Sequence, residues 1–118
     1  MKGDEVYLRH LLDAIARIES YVVVGRHEFM STPHWQDAVI RQLEIIGEAS
    51  KKLSRDLRSH HPEVPWRRIA GLRDVLIHDY MGVRLAAVWE VTQTNLPLFK
   101  RQVEPILRSV RPKEDDDI

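Results

Sequence analysis

The sequence predicts an all-α protein, an antiparallel up-and-down four-helix bundle. Three observations predict it. Apolar residues recur at helical spacing along most of the chain, no run alternates like a strand, and the breaks between the helical runs are short. With 118 residues the chain suffices for one domain and can bury a core without staples. Residues 1–110 are read as that single domain, and residues 111–118 as a disordered acidic tail.

The first helix is expected from about Asp4 to Val23. Leu8, Leu11, Leu12, Ile15, Ile18 and Val22 form its apolar face, and Gly25 with the polar stretch after it ends the pattern. The second is expected from Ser31-Thr32-Pro33 to about Leu57. A hydroxyl residue there can cap the free amides, and Pro33 suits a first helical position. Its stripe is Val39, Leu43, Ile46, Ser50 and Leu53, with Ile40, Ile45 and Ala49 outside it. An apolar face this wide implies more than one neighbour. Gly47 in mid-helix costs about 1 kcal/mol relative to alanine, which a close helix approach would explain.

Residues 59–64 read as a loop. The pair His60-His61 has no second ligand pair at metal-binding spacing, so surface histidines are expected. Pro65 opens a third helix reaching about Tyr80, ended by Gly82. The fourth runs from about Val83 to Val110, with Pro97 and Pro105 inside it, each expected to kink or break the helix. Trp35, Trp66 and Trp89 are expected as core or interface anchors.

Composition removes several function classes. Cysteine is absent, which excludes disulfides, thiolate metal sites and cysteine nucleophiles. The N-terminus lacks the apolar run of a signal peptide, and no stretch has the length of a membrane span, so a soluble cytoplasmic protein is expected. Net charge is zero, but Glu114 to Asp117 hold four of the acids, leaving 18 basic against 14 acidic residues over 1–113. Residues 51–84 carry eight basic side chains and four acidic ones, a modest anion-facing bias that charge scatter alone could also give.

The third helix is the polar one. Arg73, Asp74, His78, Asp79 and Tyr80 interrupt its apolar positions. Arg73 and Tyr80, seven apart, fall on nearly one helical face, and Asp74 can reach His78 four residues on. Arg73 and His78 are about 140° apart on an ideal helix, so they converge only if the helix end loosens or two subunits share the site. A histidine exchanges protons near neutral pH, and an arginine holds a phosphate by two oxygens. Together they suit RNA cleavage by its own 2′-hydroxyl without a metal or other cofactor, with Asp74 holding the imidazole in one tautomer. Spacing alone does not separate this set from a helix-end histidine, a surface arginine and a core phenol.

Arg73-x4-His78-x-Tyr80 resembles the signature of the HEPN superfamily, and specifically of the HepT-like toxins. The stretches Ala38–Ala49, Val64–Arg73, Val88-Trp89 and Leu96-Pro97 resemble that family in the same order. The resemblance implies a helical homodimer with the signature near the dimer cleft. It implies a metal-independent endoribonuclease with Arg73 and His78 as catalytic residues. It implies the toxin role in a type VII-like toxin–antitoxin pair. The partner would be a minimal nucleotidyltransferase antitoxin, which transfers AMP from ATP to Tyr80 and can form a larger hetero-assembly. Many relatives have asparagine where this chain has Asp74. A carboxylate there favours the charged imidazolium but repels RNA phosphate. The alternative expectation is a non-catalytic helical subunit that binds or regulates a nucleotidyltransferase.

Overall fold

A computed structural model of the chain describes residues 2–72 and 84–110. All of its regular structure is helical. The helices are α1 (Lys2–Val22), α2 (Arg26–Ser31), α3 (Pro33–Lys52), α4 (Arg55–His60), α5 (Trp66–Ala70), α6 (Leu85–Glu90) and α7 (Leu96–Val110). A π-helical turn, Val91–Asn95, joins α6 to α7. None of these helices is long and apolar enough to cross a membrane. Arg73, Asp74, His78, Tyr80, the stop expected at Gly82 and the acidic tail all lie outside the described residues.

Helix α1 is the centre of the packing. Its Leu8, Leu11, Ile15 and Ile18 are fully buried, as the helical spacing predicts. It lies along α3 and α7. Its direction is opposite to both. The start of α1 meets the end of α3 where Asp4 binds Ser54, and the end of α1 meets the start of α3 where Tyr21 contacts Trp35. On the other side Glu19, near the end of α1, pairs with Lys100 near the start of α7 at 3.0 Å. Val39, Leu43, Ile46 and Ser50 of α3 are buried as expected, and Ala49, outside that stripe, is buried too. Phe99, Val103 and Ile106 close the core from α7.

The expected second helix is divided. It stops at Lys52, and a new N-terminus forms at Ser54, whose hydroxyl accepts from the Leu57 amide at 3.1 Å. Ser54 does more than cap α4. Its amide and hydroxyl donate to the two carboxyl oxygens of Asp4 at 2.8 and 2.7 Å, and Asp4 is 5% exposed. A local helix continuation would leave this buried carboxyl group without those donors. The long-range interaction therefore outweighs the helical pattern on either side.

Two features that pattern reading treated as linker or cap turn out differently. The polar stretch after Gly25 is helix α2, and its buried residue, Phe29, is fully enclosed against Trp89 with ring centroids 5.3 Å apart. Gly25 precedes it at φ 92°, a conformation that side chains disfavour. Thr32 does occupy the N-cap of α3 with Pro33 following, but its hydroxyl makes no capping bond and donates to Glu28 instead.

The prolines of the last segment act differently from one another. Pro97 stands at the second position of α7, where a helix needs no amide donor. The irregularity precedes it: the Leu96 amide donates to the Val91 carbonyl, the wider register of a π turn. Helix α7 is not broken at Pro105. The carbonyl that loses its donor there belongs to Arg101, an exposed residue, so water can satisfy it.

The Asp4–Ser54 node gives a direct test. Ser54→Ala removes a helix cap and one hydrogen bond to a buried carboxyl group, and should cost roughly 2 kcal/mol in urea unfolding. A loss under about 0.5 kcal/mol would mean the node contributes little beyond its geometry.

Candidate active site

The signature segment is carried between two anchored flanks. On the N-terminal side the chain leaves α4 through His61, where Val64 is buried and its carbonyl accepts from the Trp66 amide at 2.8 Å. Trp66 is 7% exposed. Its indole N–H donates to the His61 carbonyl at 3.0 Å, and its ring meets Phe99 edge-on at 6.1 Å. Ile69, three residues on, is buried, and Leu72 packs against the core. The periodicity of Trp66, Ile69 and Leu72 thus orients α5 and leaves Arg67 and Arg68 exposed. Arg73 follows Leu72 in the chain.

On the C-terminal side Arg84 is exposed at the N-cap of α6, and Val88 and Trp89 are buried behind it. The tryptophans expected as anchors take that role, Trp66 and Trp89 in the core and Trp35 half-buried against Tyr21 and His34. The exposed cations nearest the signature in sequence are Arg67, Arg68 and Arg84. Exposed cations attract a polyanion at long range but carry no base preference of their own.

Between α5 and the π turn lies a groove of about 140 Å³. Leu72, Leu98 and Phe99 give it an apolar surface, and Arg68, Asn95 and Gln102 bring polar groups to it. Sequence reasoning did not find this groove. Its residues come from three separate segments, and the π turn that brings Asn95 to it has no periodic signal.

The histidine pair is occupied locally. His60 Nδ1 lies 2.7 Å from the Asp56 carbonyl, one helical turn back, and His61 Nδ1 lies 3.5 Å from Glu63. Among the described residues no cluster of three or more His, Asp or Glu side chains could hold a metal ion. Glu44 and Glu48, on α3, both take part in polar interactions.

Known proteins place this arrangement in context. A family model described as ribonuclease HepT-like matches residues 11–106. A Thermococcus cleftensis protein named "Probable ribonuclease HepT" is 41% identical over 101 residues, covering 85% of this chain and 92% of that protein. A Caldanaerobacter subterraneus protein, named as a candidate RNase, is 40% identical over 109 residues, 92% of this chain and 97% of its own. A Methanocaldococcus jannaschii protein named as a gamma-glutamylcyclotransferase and candidate RNase is 38% identical over 110 residues. This chain spans 50% of that longer protein. No solved structure matches.

The Trp66 anchor can be tested apart from any activity. Trp66→Phe keeps the ring and removes the bond to the His61 carbonyl, so unfolding free energy should fall by about 1 kcal/mol. An unchanged midpoint would show that the indole N–H does not help hold the approach to Arg73.

Proposed function

Because this chain belongs to the HepT-like ribonuclease family, we propose that it is a metal-independent endoribonuclease built on Arg73 and His78. The observation that carries the reading is the full Arg73, His78 and Tyr80 set inside the span that matches the family. The exposed Arg67, Arg68 and Arg84 on either side support it, since an RNA strand needs its phosphates neutralised.

The chemistry needs few groups. The ribose 2′-oxygen attacks the adjacent phosphorus while its proton passes to a base. The bond from phosphorus to the 5′-oxygen breaks, and that oxygen takes up a proton. The products are a 2′,3′-cyclic phosphate and a 5′-hydroxyl. His78 transfers a proton in this sequence, and Arg73 clamps the phosphate and stabilises the charge that grows on its oxygens. Asp74 orients the imidazole but adds a negative charge near the RNA, which lowers affinity for the strand. Two subunits bringing their signatures to one cleft would resolve the angle of about 140° between Arg73 and His78. The fold that accompanies this reading is an antiparallel four-helix bundle of residues 1–110.

Regulation is part of the same reading. The chain is a cytoplasmic toxin, held inactive by a nucleotidyltransferase antitoxin. The Tyr80 oxygen attacks the α-phosphorus of ATP, pyrophosphate leaves, and the phenol proton passes to a base on the partner. The adenylate adds bulk and negative charge at a phosphate site, which opposes RNA binding. Neutral net charge and Asp74 favour a second reading, a non-catalytic subunit that only docks a nucleotidyltransferase.

Cleavage of RNA by the purified protein separates the two readings. His78→Ala and Arg73→Ala should each reduce the rate by at least about 100-fold without unfolding the protein. Variants that cleave as well as the parent would remove these residues from the mechanism, and a parent that does not cleave would favour the docking subunit. Intact mass after incubation with ATP and the partner nucleotidyltransferase should rise by whole AMP units. A rise that persists in Tyr80→Phe would place the modification elsewhere.

A further inference from the structure

We propose that the groove between α5 and the π turn is a nucleobase subsite, taking one unstacked base of the RNA strand. The inference rests on the ribonuclease reading, and it adds a binding site outside the signature. A base has two flat apolar faces and a polar edge of donors and acceptors. Proteins that read single-stranded RNA seat such bases on apolar or aromatic surfaces and bond their edges with amide and guanidinium groups. The groove offers that combination. Leu72, Leu98 and Phe99 supply apolar surface, and Leu98 is 51% exposed. Arg68, Asn95 and Gln102 supply a cation and two amides. A volume of about 140 Å³ suits one ring system and not a folded partner segment.

Two further observations point to a ligand. Gln102 Nε2 donates to the Glu63 carbonyl at 3.3 Å, which fixes which end of the amide is the oxygen. That oxygen, Oε1, is buried and has no hydrogen-bond donor among the described residues. Unsatisfied buried acceptors are uncommon and call for an explanation. Turned into the groove that Gln102 lines, that oxygen would accept from an amino or imino N–H on a base edge. The second observation is the π turn, whose ends, Val91 and Asn95, both line the groove. Single π turns inside α-helical segments recur at functional sites, because the extra residue redirects a side chain. The location suits a substrate subsite as well. Leu72 lines the groove and directly precedes Arg73, the proposed phosphate clamp. Arg68 adds positive charge at the edge where an anionic strand would enter.

The test is a titration of the whole protein, followed by methyl and side-chain amide NMR. The probes are the four nucleoside 5′-monophosphates and ribose 5-phosphate. Nucleotides should shift the methyl signals of Leu72 and Leu98 and the amide signals of Asn95 and Gln102, and ribose 5-phosphate should not. Leu98→Trp, at an exposed position, fills the groove. It should weaken nucleotide binding and raise KM for an RNA oligonucleotide by about tenfold, with kcat changed by less than about twofold. Equal shifts from ribose 5-phosphate would assign the binding to phosphate alone and overturn the proposal. So would nucleotide shifts confined to other residues, or unchanged binding in Leu98→Trp. If Leu98→Trp changes the oligomeric state and leaves nucleotide binding intact, the groove belongs to a second copy and the subsite is lost. Groove binding by a parent protein that cleaves no RNA would sink the ribonuclease reading and leave the base site standing. Cleavage with no groove binding would do the reverse.

Discussion

Asp4 is the third residue of α1, yet it is nearly as buried as the core. Both of its carboxyl oxygens accept from Ser54, fifty residues away, and Ser54 at the same time caps α4. Burying a carboxyl group is costly unless its hydrogen bonds are met, so this pairing leaves little freedom in how α1 and α3 align. It sets the start of α1 against the end of α3 and turns the chain at Ser54. The segment that follows inherits that turn: α4 leaves in a new direction, and His61 presents its carbonyl to Trp66 at the start of α5. The ion pair at the opposite end, Lys100 with Glu19, has both side chains substantially exposed and contributes at most about 1 kcal/mol.

The flanks of the signature segment are joined to the core through aromatic side chains. Phe99 lies in α7 and meets Trp66 of α5, while Phe29 of α2 meets Trp89 of α6. Each flank of the signature segment is therefore fixed to a different part of the core. A large buried ring resists displacement because its loss leaves a cavity the surroundings fill only in part. Rigid flanks suit the phosphate clamp proposed for Arg73. The arginines between the buried positions of α5 reach solvent by the same periodicity that buries Trp66 and Ile69.

Much of the architecture was legible residue by residue. The stripe of α3 is buried as expected and that of α1 is buried apart from the half-buried Leu12 and Val22, Pro33 begins α3, and the three tryptophans are anchors. The errors have specific causes. Phe29 and Met30 are one adjacent apolar pair in a polar stretch, and one pair makes no period, so α2 leaves no helical pattern. The division of the second helix depends on Asp4, which no local window around Ser54 contains. The effect of Pro97 was displaced onto the π turn before it, since the proline itself falls where a helix start tolerates it.

The sequence by itself determined the helical class, the central stripe of α1 and the family, through the order of its motifs and the signature Arg73-x4-His78-x-Tyr80. These are local or near-local properties, carried by spacing and residue type. Only the tertiary structure decided where helices stop, how α1 lies against α3 and α7, and which distant residues line the groove beside Leu72. Those outcomes depend on pairing buried polar groups and filling volume across the chain, and neither leaves a trace in periodicity.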